Sequence, residues 1–295
     1  MLSLQASPTE SEFTIHCWNQ EAEEFPPELR AIPQPPRELY AIGRHSALSK
    51  PRVAIVGTRN CTGYGERAAR MLTRTLVRAG VSIISGMARG IDAAAHRTAL
   101  EEGGNTVAVL GTGIDVPYPV GHRQLHRTIA EKGLVISENP PGMKAYQGAF
   151  PKRNRIIAAL APLTIVVEAG FRSGALNTAS QALEVNHAVA AVPGPIDSEQ
   201  SRGSNQLLRD GAAFIATPDD ALSLLGISAP KEKLLTPLLP DSEQKVWEAI
   251  AEGFVQTDAL PAATGLGLAE CLTAITSLEI MGLIECSLAG EIRRR

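Results

Sequence analysis

Six cations stand in or beside glycine-bearing loops of this chain: Arg59, Arg89, Lys152, Arg153, Arg155 and Arg172. The loops are Gly57-Thr58-Arg59, Ser85-Gly86, Gly111-Thr112-Gly113, Pro140-Pro141-Gly142, Glu168-Ala169-Gly170 and Pro193-Gly194-Pro195. Glycine lets a ligand approach backbone N–H groups, and a helix that starts just afterwards favours an anion. Arginine adds a two-pronged donor for phosphate oxygens. One such glycine means no more than a tight turn; six loops with six cations make a pattern, and the chemistry it suits is phosphate binding.

The stretch Phe150-Pro151-Lys152-Arg153-Asn154-Arg155 adds an aromatic ring to three cations. A ring can stack a base while cations hold the backbone, which is what a single nucleic-acid strand needs. Alternatively Phe150 is core, and Arg153 and Arg155 pair with acids such as Glu138 or Glu168; spacing alone leaves both readings open. Catalytic groups are scarce. Asp92 reads as a helix N-cap, and His96, one turn later, as a hydrogen-bonding neighbour of that cap. The first turn, Gly57 to Gly63, lacks G-x-G-x-x-G, and the second strand ends in Ser85 rather than an acidic ribose binder. There is no G-x-x-x-x-G-K-[ST], G-x-S-x-G or H-E-x-x-H. Carboxylates near the loops are too few for a magnesium-assisted reaction. The expectation is binding rather than turnover, with no catalytic residue, metal or cofactor.

The loops owe their places to a repeating strand–helix pattern that starts at Pro51. Apolar runs at 53–56, 81–84, 106–110, 134–136, 163–167 and 188–192 read as strands. Helical stretches at 65–79, 92–102, 125–132 and 176–185, and one starting near 153, alternate with them. This predicts an α/β fold, an extended Rossmann-like parallel sheet with helices on both faces. Near-continuous Val, Ile, Ala and Leu suit strands buried on both sides. Every glycine-bearing loop then follows the carboxyl end of a strand, the crest where such sheets bind ligands.

Residues 1–50 are proline-rich and read as an extended arm packing on the Rossmann-like domain of 51–225, pinned by Phe25, Leu29, Ile32, Leu39 and Ile42. Residues 226–240, with Pro230, Pro237 and Pro240, read as a linker. Three helices and a terminal hairpin over 241–295 predict a small winged-helix domain. The net charge of −3 conceals a segregation. Residues 51–225 carry 18 basic and 14 acidic side chains, whereas 241–295 carry 4 and 9, so an anionic partner should meet the middle of the chain. The 295 residues hold no run of the length a membrane span needs, and the N-terminus has no secretory pattern. The expectation is a cytoplasmic protein with no membrane partner. The four cysteines form no C-x-x-C pair, which argues against zinc or a disulfide framework.

The motifs resemble those of the DNA-processing protein A family (DprA, also called Smf). The resemblance rests on Val56-Gly57-Thr58-Arg59, Thr62-Gly63-Tyr64-Gly65, the run from Ser85 to Asp92 with Ala95-His96, Ala108-Val109-Leu110-Gly111, Ile136-Ser137-Glu138 and Pro140-Pro141-Gly142. It continues through Phe150 to Ile157, Val166-Val167-Glu168-Ala169, Ser173-Gly174-Ala175, and Val192-Pro193-Gly194-Pro195 with Gly203-Ser204-Asn205, covering about 25–225. It implies a domain that binds single-stranded DNA, forms a homodimer and helps load the RecA recombinase onto incoming DNA during natural transformation, with no established enzymatic activity. Carried over by motif, the DNA pocket comprises Gly57, Thr58, Arg59, Ser85, Gly86, Ala88, Phe150, Lys152, Arg153, Asn154 and Arg155, together with Arg89 from the same 85–92 run. The C-terminal block resembles the winged helix appended to many members.

Two features depart from the family pattern. Only some 25 residues precede the match, so the N-terminal helical domain common in the family is expected to be missing. The recognition helix of the winged-helix block, about 268–281, contains Glu270 and Glu279 but no Lys or Arg, which favours a protein-contact or regulatory role over DNA reading. Two other function classes stand beside this one. A nucleotide phosphoribohydrolase-type enzyme would carry P-G-G-x-G-T-x-x-E, and the nearest stretch, Ser173 to Glu184, lacks its glycines. A winged-helix transcription regulator would need a basic recognition helix.

Overall fold

The computed structural model describes residues 13–228, 239–253, 256–287 and 291–294. The chain divides into two compact units, 1–230 and 231–295.

In the first unit the elements run β1 (His16–Asn19), β2 (Glu38–Gly43), β3 (Arg52–Val56), α1 (Gly63–Arg78), β4 (Ser82–Ser85), α2 (Ile91–Glu101), β5 (Thr106–Leu110), α3 (Arg123–Lys132), β6 (Leu134–Ser137), α4 (Ala149–Leu160), β7 (Leu163–Val166), α5 (Gly174–Glu184), β8 (Ala188–Ala191), α6 (Arg202–Arg209), β9 (Ala213–Phe214) and α7 (Pro218–Leu224). They build one nine-stranded sheet in the order β1-β2-β6-β5-β4-β3-β7-β8-β9. Strands β3 to β9 run parallel, while β2 runs antiparallel to both β1 and β6. The sheet is the extended Rossmann-like sheet that the strand–helix alternation predicts.

Alternation along the strands sets the two cores. Val53 and Ile55 of β3 pack with Leu72 and Leu76 of α1 and Ala95 and Ala99 of α2. Ala54 and Val56 point the other way, to Ile156 and Leu160 of α4 and Ala175 and Ala179 of α5. Both faces of the central strands are therefore dry, which is why these segments carry no polar alternation. Helix α1 begins at an N-cap that sequence can recognise, since Thr62 Oγ1 accepts the Gly65 N–H at 3.2 Å.

The first 50 residues contribute more than an extended arm. Within the described part, β1 and β2 are ladder strands, and Tyr40 to Gly43 pair with Leu134 to Ser137 of β6. Trp18, Phe25, Leu29, Ile32 and Leu39 enter the α4 and α5 core, whereas Ile42 lies on the opposite face with Ile129 of α3. Proline punctuation hides these strands in the sequence. Helix α4 also starts earlier than near Arg153. It begins at Ala149, after Gly148 in a left-handed conformation at φ 89°, with Pro151 in the first turn, where its missing N–H costs nothing.

The second unit holds α8 (Asp241–Ala251), α9 (Leu260–Thr264), α10 (Leu268–Ile280) and the antiparallel pair β10 (Ile284–Cys286) and β11 (Ile292–Arg294). Val246, Trp247, Ile250, Leu260, Ala274, Leu278, Ile284 and Ile292 share one core, and the unit has the winged-helix arrangement. Helix α8 starts at Asp241, with Pro240 at the cap position. On α10, Glu270 accepts the Gly267 N–H at 3.0 Å and Glu279 accepts the Cys286 N–H at 3.2 Å. Glu270 therefore caps its own end of the helix, and Glu279 ties the other end to β10. The side chains of Arg293, Arg294 and Arg295, and the linker residues 229–238, lie outside the described residues. No single helix among the described residues is long and apolar enough to cross a membrane.

Candidate nucleic-acid interface

Strands β3 and β7 are neighbours, with Val56 opposite Val166. From β3 the chain proceeds outward through β4, β5 and β6 on one side, then returns to β7 and continues to β9 on the other. This reversal opens a crevice at the carboxyl ends of β3 and β7, the place where open α/β sheets take ligands. The Gly57–Arg59 loop forms one wall and the Gly170–Ser173 turn the other. The walls are tied together: Thr58 N–H donates to Glu168 C=O at 2.7 Å. The buried Glu168 carboxylate accepts the Thr62 N–H at 2.9 Å and the Thr62 hydroxyl at 2.5 Å. A Cβ at Gly57 would sit 2.5 Å from Ile91 Cγ1 and 2.9 Å from Glu168 O, so only glycine lets the first loop lie this close.

Two clefts result. The first, of about 500 Å³, is lined by Thr58, Arg59, Phe150, Phe171, Arg172 and Asn177 among others. The second, of about 460 Å³, is lined by Arg59, Arg89, Arg97, Tyr118, His122 and Phe150 among others. Arg59, Ala88, Phe150 and Arg153 border both. The divide between them is a stack, with the Arg59 guanidinium 5.4 Å over the Phe150 ring and the Tyr118 ring 5.0 Å away at 34°. The first turns of α2, α4 and α5 open into the first cleft through Asp92, Phe150 and Gly174. Their dipoles add positive potential there. Among the described residues, Arg59, Arg89, Arg97 and Arg172 make no ion pair, and all four are exposed. Four uncompensated cations around twin clefts leave a field that an anion can satisfy.

The other cations of the motif are used inside the fold. Arg153 is buried, and its Nη1 donates to Gly86 C=O at 2.7 Å and to Val109 C=O. A Cβ at Gly86 would lie 2.5 Å from that nitrogen. Burial lowers Arg153 to about 10; the neighbouring Asp92 charge opposes this, while Arg59 adds to it. Burial also pushes the Asp92 carboxyl up, against Arg153 and the N–H groups of Ala88 and Gly86. Asp92 accepts those two N–H groups at 3.4 and 3.1 Å. It therefore ties down the preceding loop and does not cap α2, whose cap position is Gly90. Arg155 makes a two-pronged pair with Glu138 at 3.2 and 2.7 Å, and Lys152 reaches the same carboxylate at 3.3 Å. Asn154 donates to Gly174 C=O and Asn177 Oδ1, both at 3.2 Å, and so joins α4 to the start of α5. Ser85 is buried and donates to Ile55 C=O at 2.6 Å.

Of the residues singled out by motif, Gly57, Thr58, Arg59, Ala88, Phe150, Arg153 and Asn154 thus border the first cleft, and Gly86 and Arg89 the second. Lys152 and Arg155 border neither and line a third cavity of about 340 Å³ with Gln34 and Gln181. Ser85 lines none of these three. Arg97, Tyr118 and Phe171 are missed by sequence reasoning. Arg97 lies within a helix and Tyr118 in a proline-flanked loop; the signal for Phe171 is a large apolar residue placed beside a cation in a turn.

His96 lies beneath the site, fully buried. Its Nδ1 and the Ile83 C=O lie 2.7 and 2.9 Å from Thr106 Oγ1, so one hydroxyl bridges the ring and the β4 backbone. Burial, with Arg153 and His122 nearby, lowers His96 to about 3 from 6.5. The unfolded chain therefore binds a proton that the folded chain refuses. The stability contributed by neutral His96 is complete above pH 6.5 and lost as pH falls towards 3. Urea unfolding at pH 7, 6 and 5 is expected to show a loss on the order of 1 kcal/mol per unit below pH 6 from this residue. An identical pH slope in His96→Gln would remove the explanation.

Residues 16–226 match the model of the DNA recombination-mediator protein A family, and residues 229–290 match that of the DprA winged helix domain. Protein Smf of Escherichia coli K12 is 35% identical over 290 residues, covering 95% of this chain and 78% of that protein. The crystal structure of DNA processing protein A from Streptococcus pneumoniae superposes with a TM-score of 0.68 at 38% identity, over 72% of this chain and 74% of that one. The DNA processing protein A of Helicobacter pylori, described for its single-stranded DNA binding mode, superposes with a TM-score of 0.66 at 29% identity, over 72% of this chain and 96% of that one. By sequence and by fold, this chain belongs to the DNA recombination-mediator protein A family, the DprA/Smf DNA-processing proteins.

Proposed function

We propose that the twin clefts hold single-stranded DNA, with phosphates at the arginines and helix N-termini and at least one base against an aromatic ring. The observation that carries this is the set of four unpaired arginines around two clefts that meet at Arg59 and Phe150. Separate recesses with an aromatic residue at the border suit a flexible strand whose bases can turn inward, and a duplex keeps its bases stacked within. The single-stranded DNA binding mode of the Helicobacter pylori relative supports the same ligand class.

The role is binding rather than turnover. Asp92 at the first cleft accepts the N–H groups of Gly86 and Ala88, and His122 at the second has Nδ1 2.9 Å from the Met87 C=O, so the acid and base that line the clefts are both engaged by the backbone. Family membership supports the further reading that the bound strand is handed to the RecA recombinase, by a homodimer acting in the cytoplasm during natural transformation. The winged-helix unit is assigned a protein-contact or regulatory role: α10 has no Lys or Arg, and Leu268, Leu272, Ile280 and Met281 are exposed.

The test is a titration with single- and double-stranded DNA of equal length at several salt concentrations. If about 4–6 phosphates are neutralised, the slope of log K against log salt is expected to be roughly −3 to −4 for the single strand. Equal affinity for duplex, or a flat salt response, would overturn the reading. Faster RecA assembly on a pre-coated single strand in the presence of this protein tests the second step.

A further inference from the structure

We infer that Phe171 is the platform on which a nucleobase stacks at the mouth of the first cleft. This rests on the single-strand reading above and assigns the stacking role to a residue outside the family motifs. Phe150 is the aromatic that the sequence picks out, but its ring is already engaged. Arg59 lies over it at 5.4 Å, Tyr118 packs against it at 5.0 Å, and a Cβ at Gly111 would be 2.9 Å from its Cδ1. A base stacking there must first displace one of these partners. Phe150 is better suited to aiming Arg59 between the two clefts.

Phe171 lines the same cleft, is 72% exposed, and takes part in no ring contact among the described residues. It sits with Arg172 at the centre of the turn closed by Ser173 N–H to Gly170 C=O at 3.1 Å. The turn is braced on both sides. Gly203 N–H holds Ala169 C=O at 2.7 Å, and Ser173 Oγ accepts the Ala175 N–H at 3.3 Å as α5 begins. An aromatic ring kept in water by a fixed turn, beside a cation and above an anion-seeking cleft, has the properties a stacking surface needs: it gains by desolvation and requires little ordering on binding. The neighbouring Arg172 can hold the phosphate attached to the stacked base.

The experiment compares the full chain with Phe171→Ala, Phe171→Trp and Arg59→Ala, titrated by anisotropy against an oligothymidylate strand and an abasic strand of equal length. Phe171→Ala is expected to bind oligothymidylate about tenfold more weakly and the abasic strand within twofold of the parent. Phe171→Trp should keep parental affinity, and its added fluorescence should be quenched by oligothymidylate but not by the abasic strand. Loss of affinity by Phe171→Ala on both strands alike would mean a structural role and overturn the inference. So would unchanged binding of oligothymidylate; altered sedimentation would then assign Phe171 to a protein contact. If Arg59→Ala loses affinity on both strands while Phe171→Ala loses none, the inference fails and the single-strand reading stands. A parent protein that binds neither strand removes both.

Discussion

Replacing Arg153 with methionine is expected to destabilise the first unit by about 2–5 kcal/mol, because two buried carbonyls lose a charged donor at about 1–3 kcal/mol each. Methionine keeps most of the volume and supplies no donor. The carbonyls of Gly86 and Val109 lose the Arg153 hydrogen bonds, and Asp92 loses its cation. The double variant Asp92→Asn, Arg153→Met should recover part of the loss, because the buried carboxylate that the nearby cation favours is removed as well. Urea unfolding followed by circular dichroism measures both. A loss below about 1 kcal/mol combined with abolished DNA binding would show that Arg153 serves the ligand and not the fold.

Arg59→Ala is expected to show the reverse. Arg59 is exposed, forms no ion pair among the described residues, and borders both clefts. Losing one charged contact should weaken single-strand binding by about 1.5–3 kcal/mol, roughly 10- to 150-fold. Its side chain rests on the Phe150 ring, so unfolding should shift by no more than about 0.5–1 kcal/mol. Normal binding by a folded variant, or poor binding explained by melting, would count against the proposed site. The pair of substitutions separates the arginine that builds the cleft from the one that faces the ligand, although both stand in motifs of the same family.

The central strands were legible because short runs rich in Val, Ile, Ala and Leu lead into glycine-bearing loops: the expected 106–110 coincides with Thr106–Leu110. The crest followed from those ends, and with it the places of Gly57, Thr58 and Arg59. Strand β2 was not legible, although Leu39-Tyr40-Ala41-Ile42 has strand composition, since nothing local reveals that β6 lies alongside. The destination of each charge was hidden for the same reason. The partners of Arg153 come from the ends of β4 and β5, and Glu138 meets Arg155 only after α4 folds back. Of the two readings open for the Phe150 to Arg155 stretch, Arg155 follows the ion-pair one with Glu138. Arg153 follows neither version, since its guanidinium is held by the Gly86 and Val109 carbonyls with the Asp92 charge nearby, and Phe150 is half-buried between core and cleft.

The crevice is walled by two strands that pair side by side but lie far apart along the chain, Ala54 opposite Thr164 and Val56 opposite Val166. Such distant pairings close late, because loop entropy is lost before the contact is gained. During synthesis the loop bearing Arg59 emerges long before the turn bearing Phe171 and Arg172. A nascent or prematurely terminated chain therefore displays one wall without the other. It carries cations but no enclosed cleft, and one side of β3 stays without its ladder partner. The first cleft is complete only when β7 docks and brings the Gly170–Ser173 turn into place. The penalty for stalling is self-association through the bare side of β3.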